Sequence, residues 1–153
     1  MPKPPPSLTL APPTAADEAD WRLLWDGYCR FYKVDLAAEV TAGTWARLLD
    51  PACPIHGLIA RDGDRALGFV NYVIHANTWS LAPVCYLEDL FTAPEARGRG
   101  VGRALIGRLG DLARAEGWRH VYWHTHDDNA TARALYDSVT GGRDSFVRYV
   151  LRP

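Results

Sequence analysis

Apolar positions along this chain follow two periods, and the change between them marks out the elements. Trp21, Leu24, Trp25, Tyr28, Phe31 and Tyr32 recur at spacings of three and four, the signature of one helical face. Thr14 or Asp17 can cap that helix, and Asp17, Glu18 and Asp20 place acid in its first turn, where the helix dipole favours it. A second helix is predicted over 37–49, stopping before Pro51. Leu8-Thr9-Leu10 reads as a first strand. Gly57-Leu58-Ile59-Ala60 and residues 66–74 form a strand pair about the turn signal Asp62-Gly63-Asp64. A loop over 75–82 then leads to a strand over 84–92. Val101, Leu105, Leu109 and Leu112 define the next helical face, which Gly117 ends. A buried-type strand is predicted over 120–125, a helix from 130 to about 139 after Asp127-Asp128-Asn129, and a last strand over 146–151. Strands first, followed by a strand–helix–strand unit, predict a mixed α/β sheet.

Composition adds bounds. The chain has 153 residues, which suits one domain with a substantial core. Residues 1–7, Met-Pro-Lys-Pro-Pro-Pro-Ser, read as a disordered Pro-rich tail ahead of a single domain over 8–153. Hydrophobic content of 48% and charged content of 23% are those of an ordinary soluble protein. A net charge of −1 offers no bulk attraction to nucleic acid or to an anionic membrane, so neither is expected as a partner. There is no apolar run of membrane-spanning length and no secretory h-region. Cys29, Cys53 and Cys85 form no Cys-x-x-Cys and no even set, which suits buried thiols in a reducing, cytoplasmic compartment.

The candidate chemistry centres on Arg97-Gly98-Arg99-Gly100-Val101-Gly102, a glycine-rich turn between a strand and a helix. Glycines let the backbone approach a ligand and take up positive φ. The N–H groups at the start of the next helix converge on one point, where its dipole favours an anion. Arg97, Arg99 and Arg103 add positive charge. The turn therefore reads as a phosphate or pyrophosphate site, with a purely structural turn as the alternative. It is not a P-loop, because Gly102 is followed by Arg103-Ala104 rather than Lys-Ser/Thr. Its glycine spacing also departs from the dinucleotide fingerprint, and His120-Val121-Tyr122-Trp123-His124 stands where the ribose-binding acid would be.

Glu88 and Asp89 interrupt the strand formed by Tyr86, Leu87, Leu90 and Phe91. Alternation places the two carboxylates on opposite faces, and each needs a partner or a purpose. A salt bridge to an Arg or exposure at a sheet opening is one reading, and a carboxylate facing an amine is the other. Most of the aromatic stripe reads as core, while Trp25 and Tyr28 also offer ring faces to a cation. Asn129, Ala132 and Tyr136 share one helical face. His124 and His126 are spaced for one face of a strand, but no third ligand accompanies them, so no metal is expected. His126 is instead a candidate substrate contact.

The segments Tyr-Leu-Glu-Asp-Leu-Phe-Thr (86–92), Arg-x-x-Gly-x-Gly (97–102) and Asn-Ala-Thr-Ala-Arg-Ala-Leu-Tyr (129–136) resemble the GNAT N-acetyltransferases. The likeness runs from about Leu8 to the C-terminus, and it is nearest to the small polyamine, thialysine and histone-type members. It implies a GNAT-like, mostly antiparallel sheet with a splayed central parallel strand pair flanked by helices. It further implies direct acetyl transfer from acetyl-CoA to a primary amine (polyamine, amino-acid-like amine or lysine side chain) in a ternary complex. Glu88 matches the residue that accepts the amine proton, with Asp89 in support, and Tyr136 matches the donor to the leaving thiolate. Residues 97–103 would hold the pyrophosphate. The backbone of Leu90, Phe91 and Thr92, with Asn129 and Ala132, would hold the pantetheine arm. A homodimer is implied as well. The competing function is a non-catalytic CoA- or nucleotide-binding module, which has no use for an acid and a base.

Overall fold

The computed structural model describes residues 7–153, so the Pro-rich tail lies outside the described residues except for Ser7. Five strands form one sheet in the order β1 (Leu8–Ala11), β2 (Ile55–Asp62), β3 (Arg65–His75), β4 (Val84–Thr92) and β5 (Val121–Tyr122). The first four pair antiparallel, and β4 and β5 run parallel. The helices are α1 (Glu18–Phe31), α2 (Ala38–Leu49), α3 (Val101–Glu116) and α4 (Ala130–Thr140). The chain divides into two compact units that meet between Trp123 and His124.

In the first unit, α1 and α2 cover one face of the sheet and α3 the other. Phe69 on β3 meets Trp21 and Trp25 of α1, with ring centroids 6.4 and 6.0 Å away. Its neighbour Gly68 faces Val101 at the start of α3, as the alternation of a strand requires. The aromatic stripe of α1 is largely core. Trp45, Trp21, Trp25 and Tyr28 succeed one another with centroids 5.2 Å apart, and Tyr32 follows at 4.8 Å. Trp21, Trp25 and Trp45 are buried. On the opposite face, Val101, Leu105 and Leu109 of α3 are buried, as the spacing of four predicted.

Three elements depart from the sequence prediction. The strand expected over 120–125 pairs only at Val121 and Tyr122, opposite Cys85 and Tyr86. The strand expected over 146–151 does not form among the described residues. Phe146, Val147, Tyr149, Val150 and Leu151 are exposed there, and an extended apolar segment is a strand only where another backbone pairs with it. The third departure is a β-bulge in β4. Asn71 of β3 lies opposite Asp89, but the next β3 residue, Tyr72, lies opposite Leu87, so Glu88 is the extra residue. That insertion breaks the alternation assumed for Glu88 and Asp89. It turns Asp89 and Phe91 toward α1 and leaves Glu88 exposed at the bulge.

Candidate active site

The glycine loop follows β4 through a short turn at Pro94–Ala96. Gly98 and Gly100 both have φ +79, a left-handed conformation that a side chain would strain. Gly100 is the N-cap of α3, and no side-chain cap bond forms there among the described residues. The first-turn N–H groups of Val101, Gly102 and Arg103 have no carbonyl within the helix to bond, so they point outward beside the positive end of the dipole. Two of the three loop arginines are engaged locally. Arg99 Nη2 donates to Asp62 Oδ2 at 2.6 Å, and the Arg97 guanidinium sits 5.7 Å from the centre of the Phe31 ring. Arg97 also borders a cleft of about 590 Å³ between α1 and the end of β4, with Leu23, Gly27 and Phe91.

Beyond Tyr86↔Tyr122, the parallel pairing ends while β4 continues to Thr92. Leu90 and Thr92 therefore keep β3 as partner on one side and have no paired strand on the other among the described residues. Glu88 is exposed next to this opening. Its charge helps to push the Tyr122 phenol above its usual range, behind the larger effect of burial. Phe91 is largely buried against Tyr28 and Phe69.

Beneath the bulge lies a polar network. Tyr28 Oη donates to Asp89 Oδ1 at 2.5 Å, and Asn71 Nδ2 donates to Asp89 Oδ2 at 3.1 Å. Burial raises the Asp89 carboxyl above the ordinary carboxylate range, while the two donors oppose that rise. Burial and then the Asp89 charge drive the Tyr28 phenol upward, so it stays a donor. Trp25 is turned to other partners, with Nε1 donating to Thr41 Oγ1 at 3.1 Å. Sequence reasoning missed Asn71. A lone amide inside Leu67-Gly68-Phe69-Val70-Asn71-Tyr72 was the available signal, because a buried polar side chain requires a partner.

In the second unit, Asn129 caps α4. Its Oδ1 accepts from the Ala132 N–H at 3.4 Å and its Nδ2 donates to Thr125 Oγ1 at 3.5 Å. Ala132 and Tyr136 follow on the same face and are half-buried, while His126 is exposed. Among the described residues, no three His, Cys, Asp or Glu side chains gather as a metal site. No helix there is long and apolar enough to cross a membrane.

The model of the Acetyltransferase (GNAT) family matches residues 20–141, and the chain belongs to that family. It is accordingly an acyltransferase. It is 39% identical over 126 residues to the D-amino-acid N-acetyltransferase HPA3 of Saccharomyces cerevisiae, covering 80% of this chain and 78% of that one. It is 35% identical over 85 residues to the thialysine N-epsilon-acetyltransferase of Caenorhabditis elegans, covering 56% of this chain and 52% of the other. Among solved structures, AAC(6')-Iy bound to the bisubstrate analogue CoA-S-monomethyl-acetylneamine superposes with a TM-score of 0.79 at 20% identity, covering 95% of this chain and 97% of that one. That likeness shows the fold.

Proposed function

We propose that the protein transfers the acetyl group of acetyl-CoA directly to a primary amine. The observation that carries this reading is the bulge, which presents Glu88 at the unpaired edge of β4. An alkyl ammonium titrates near pH 10.4, so forming the neutral nucleophile at pH 7 costs roughly 4–5 kcal/mol. A carboxylate alone would favour the ammonium, and it assists only by accepting the proton as attack begins. Glu88 has that role, directly or through water. The unpaired N–H and C=O groups of Leu90 to Thr92 are suited to the amides of pantetheine. Residues 97–103 are suited to the pyrophosphate, chiefly through backbone N–H groups, since Arg97 and Arg99 already have partners. Tyr136 is assigned the proton donor to the thiolate on the strength of its motif, with Asn129 and Ala132 as pantetheine contacts. Trp25 and His126 remain candidate amine contacts, each within its own unit, while Tyr28 and Asp89 support the site through their mutual hydrogen bond.

Within primary amines, the amino-acid-like class is favoured, since the relatives named above act on D-amino acids and thialysine. The family match crosses from the first unit into the second, which supports one N-acetyltransferase domain over 8–153. Three free thiols support a cytoplasmic location. A homodimer belongs to the same proposal, and sedimentation at several concentrations reads it. The function is tested by following CoA release from acetyl-CoA with D- and L-amino acids, thialysine, lysine, spermidine and an aminoglycoside. Amine-dependent release is expected. CoA binding without release from any amine would replace this reading with a binding module.

A further inference from the structure

Two adjacent carboxylates stand at the bulge, and something must decide which of them enters the sheet and which stays at the opening. Asp89 is held from two elements beyond its own strand, by Tyr28 of α1 and by Asn71 of β3, opposite which it lies in the register. Both carboxylate oxygens are occupied. Asn71 is 2% exposed, and while its Nδ2 serves Asp89, its Oδ1 has no hydrogen-bond partner among the described residues and packs toward Gly57. A buried acceptor left without a donor is costly, and the engaged end of this amide is the one on Asp89. Tyr28 is itself fixed between the rings of Trp25 and Tyr32. A bulge persists where the residues flanking it are pinned, because sliding the register by one residue exchanges the two faces. Here such a slide would put Glu88 against Asn71 and turn Asp89 out.

We infer that Asn71 and Tyr28 are positioning residues which, by clamping Asp89, hold the β4 bulge in register so that Glu88 is the carboxylate offered to the substrate amine. Asp89 is then a structural anchor and not an amine ligand. This rests on the acetyl-transfer reading above and deepens it, since it assigns one carboxylate, not two, to the reacting nitrogen.

The test uses Tyr28→Phe and Asn71→Ser, each alone and combined with Glu88→Gln, with steady-state kinetics for both substrates across pH and a melting temperature for each protein. Tyr28→Phe keeps the ring, so it carries the test should Asn71→Ser fail to fold. The expected result is a fall in kcat of about tenfold with a displaced ascending limb of kcat against pH, because a misplaced base loses proton transfer. The KM values for acetyl-CoA and amine should stay within about twofold, and in the Glu88→Gln background the clamp variants should have little further effect, as expected of groups acting as one unit. An amine KM raised more than about tenfold at unchanged kcat and pH profile would make the clamp a substrate site and overturn the inference. Equal losses with and without Glu88 would reduce it to general damage and also overturn it. Wild-type protein that turns over no amine would overturn the transferase reading itself and this inference with it, an outcome distinct from both.

Discussion

Arg99 of the glycine loop and Asp62 at the end of β2 are joined by an ion pair of 2.6 Å, which ties the candidate phosphate site to the β2–β3 hairpin. The Arg99 guanidinium holds the Asp62 carboxyl below its usual range, ahead of a contribution from Ser7. A bound phosphate must compete with Asp62 for this guanidinium. Replacing Asp62 by Asn should therefore lower the KM for acetyl-CoA, by about threefold given the modest strength of exposed pairs. The difference should shrink in high salt. An unchanged KM at low salt would show that Arg99 serves the hairpin alone.

Glu88→Gln keeps the size of the side chain and removes its basicity. Loss of general-base assistance should lower kcat by about 10² while acetyl-CoA binding, read by calorimetry, is unchanged. Full activity in this variant would remove Glu88 from the mechanism.

Tyr136→Phe should cost less, about tenfold in kcat, because a thiolate leaves tolerably without an acid. The deficit should grow with donor thioesters whose thiols are more basic than CoA. A uniform deficit across leaving groups would argue against the donor role.

A Cβ on Gly68 would stand 2.5 Å from the carbonyl oxygen of Phe91 and 3.0 Å from Val101. Strand backbone cannot give way as a flexible side chain can, so Gly68→Ala should destabilise by about 1–3 kcal/mol. Chemical denaturation measures this. Retained stability would mean that β4 yields at its C-terminal end more readily than its pairing suggests.

Burial pushes the Cys85 thiol up to about 12 and, with weaker help from Cys85 itself, the Tyr72 phenol to about 12. In the unfolded chain they titrate near 9.0 and 10.0. The native state therefore keeps these protons longer, and its stability should be full below about pH 9 and fall as pH rises from there toward 12. Cys85→Ala should flatten the Cys85 part of that fall in urea titrations. Native Cys85 should also resist a thiol reagent at neutral pH, and rapid labelling would contradict its burial.

How far the sequence carried the reading can be seen in β4. Its limits and its position before the glycine loop followed from the run Val84–Thr92 and the glycines after it. The α3 face followed from the spacing of Val101, Leu105 and Leu109. The bulge did not follow, because one extra residue leaves no mark in a pattern read as simple alternation. Asn71 escaped for a related reason, since its meaning depends on Asp89, 18 positions away. Residues 146–151 were apolar enough for a strand, but apolar content supplies no partner backbone, and the exposed Phe146 and Leu151 show the difference.

The aromatic column shared by α1 and α2 has a practical consequence. Trp45, Trp21 and Trp25 lie within close stacking distance of one another, and Trp25 stacks on the same Tyr28 that bonds Asp89. Rings so near share their electronic excitations, so the set acts as one chiral chromophore whose last member touches the clamp. A change at the catalytic opening that moves Tyr28 should thus be visible as a shift in near-ultraviolet circular dichroism and indole emission. The protein carries its own optical gauge of the carboxylate pair, with no label to attach.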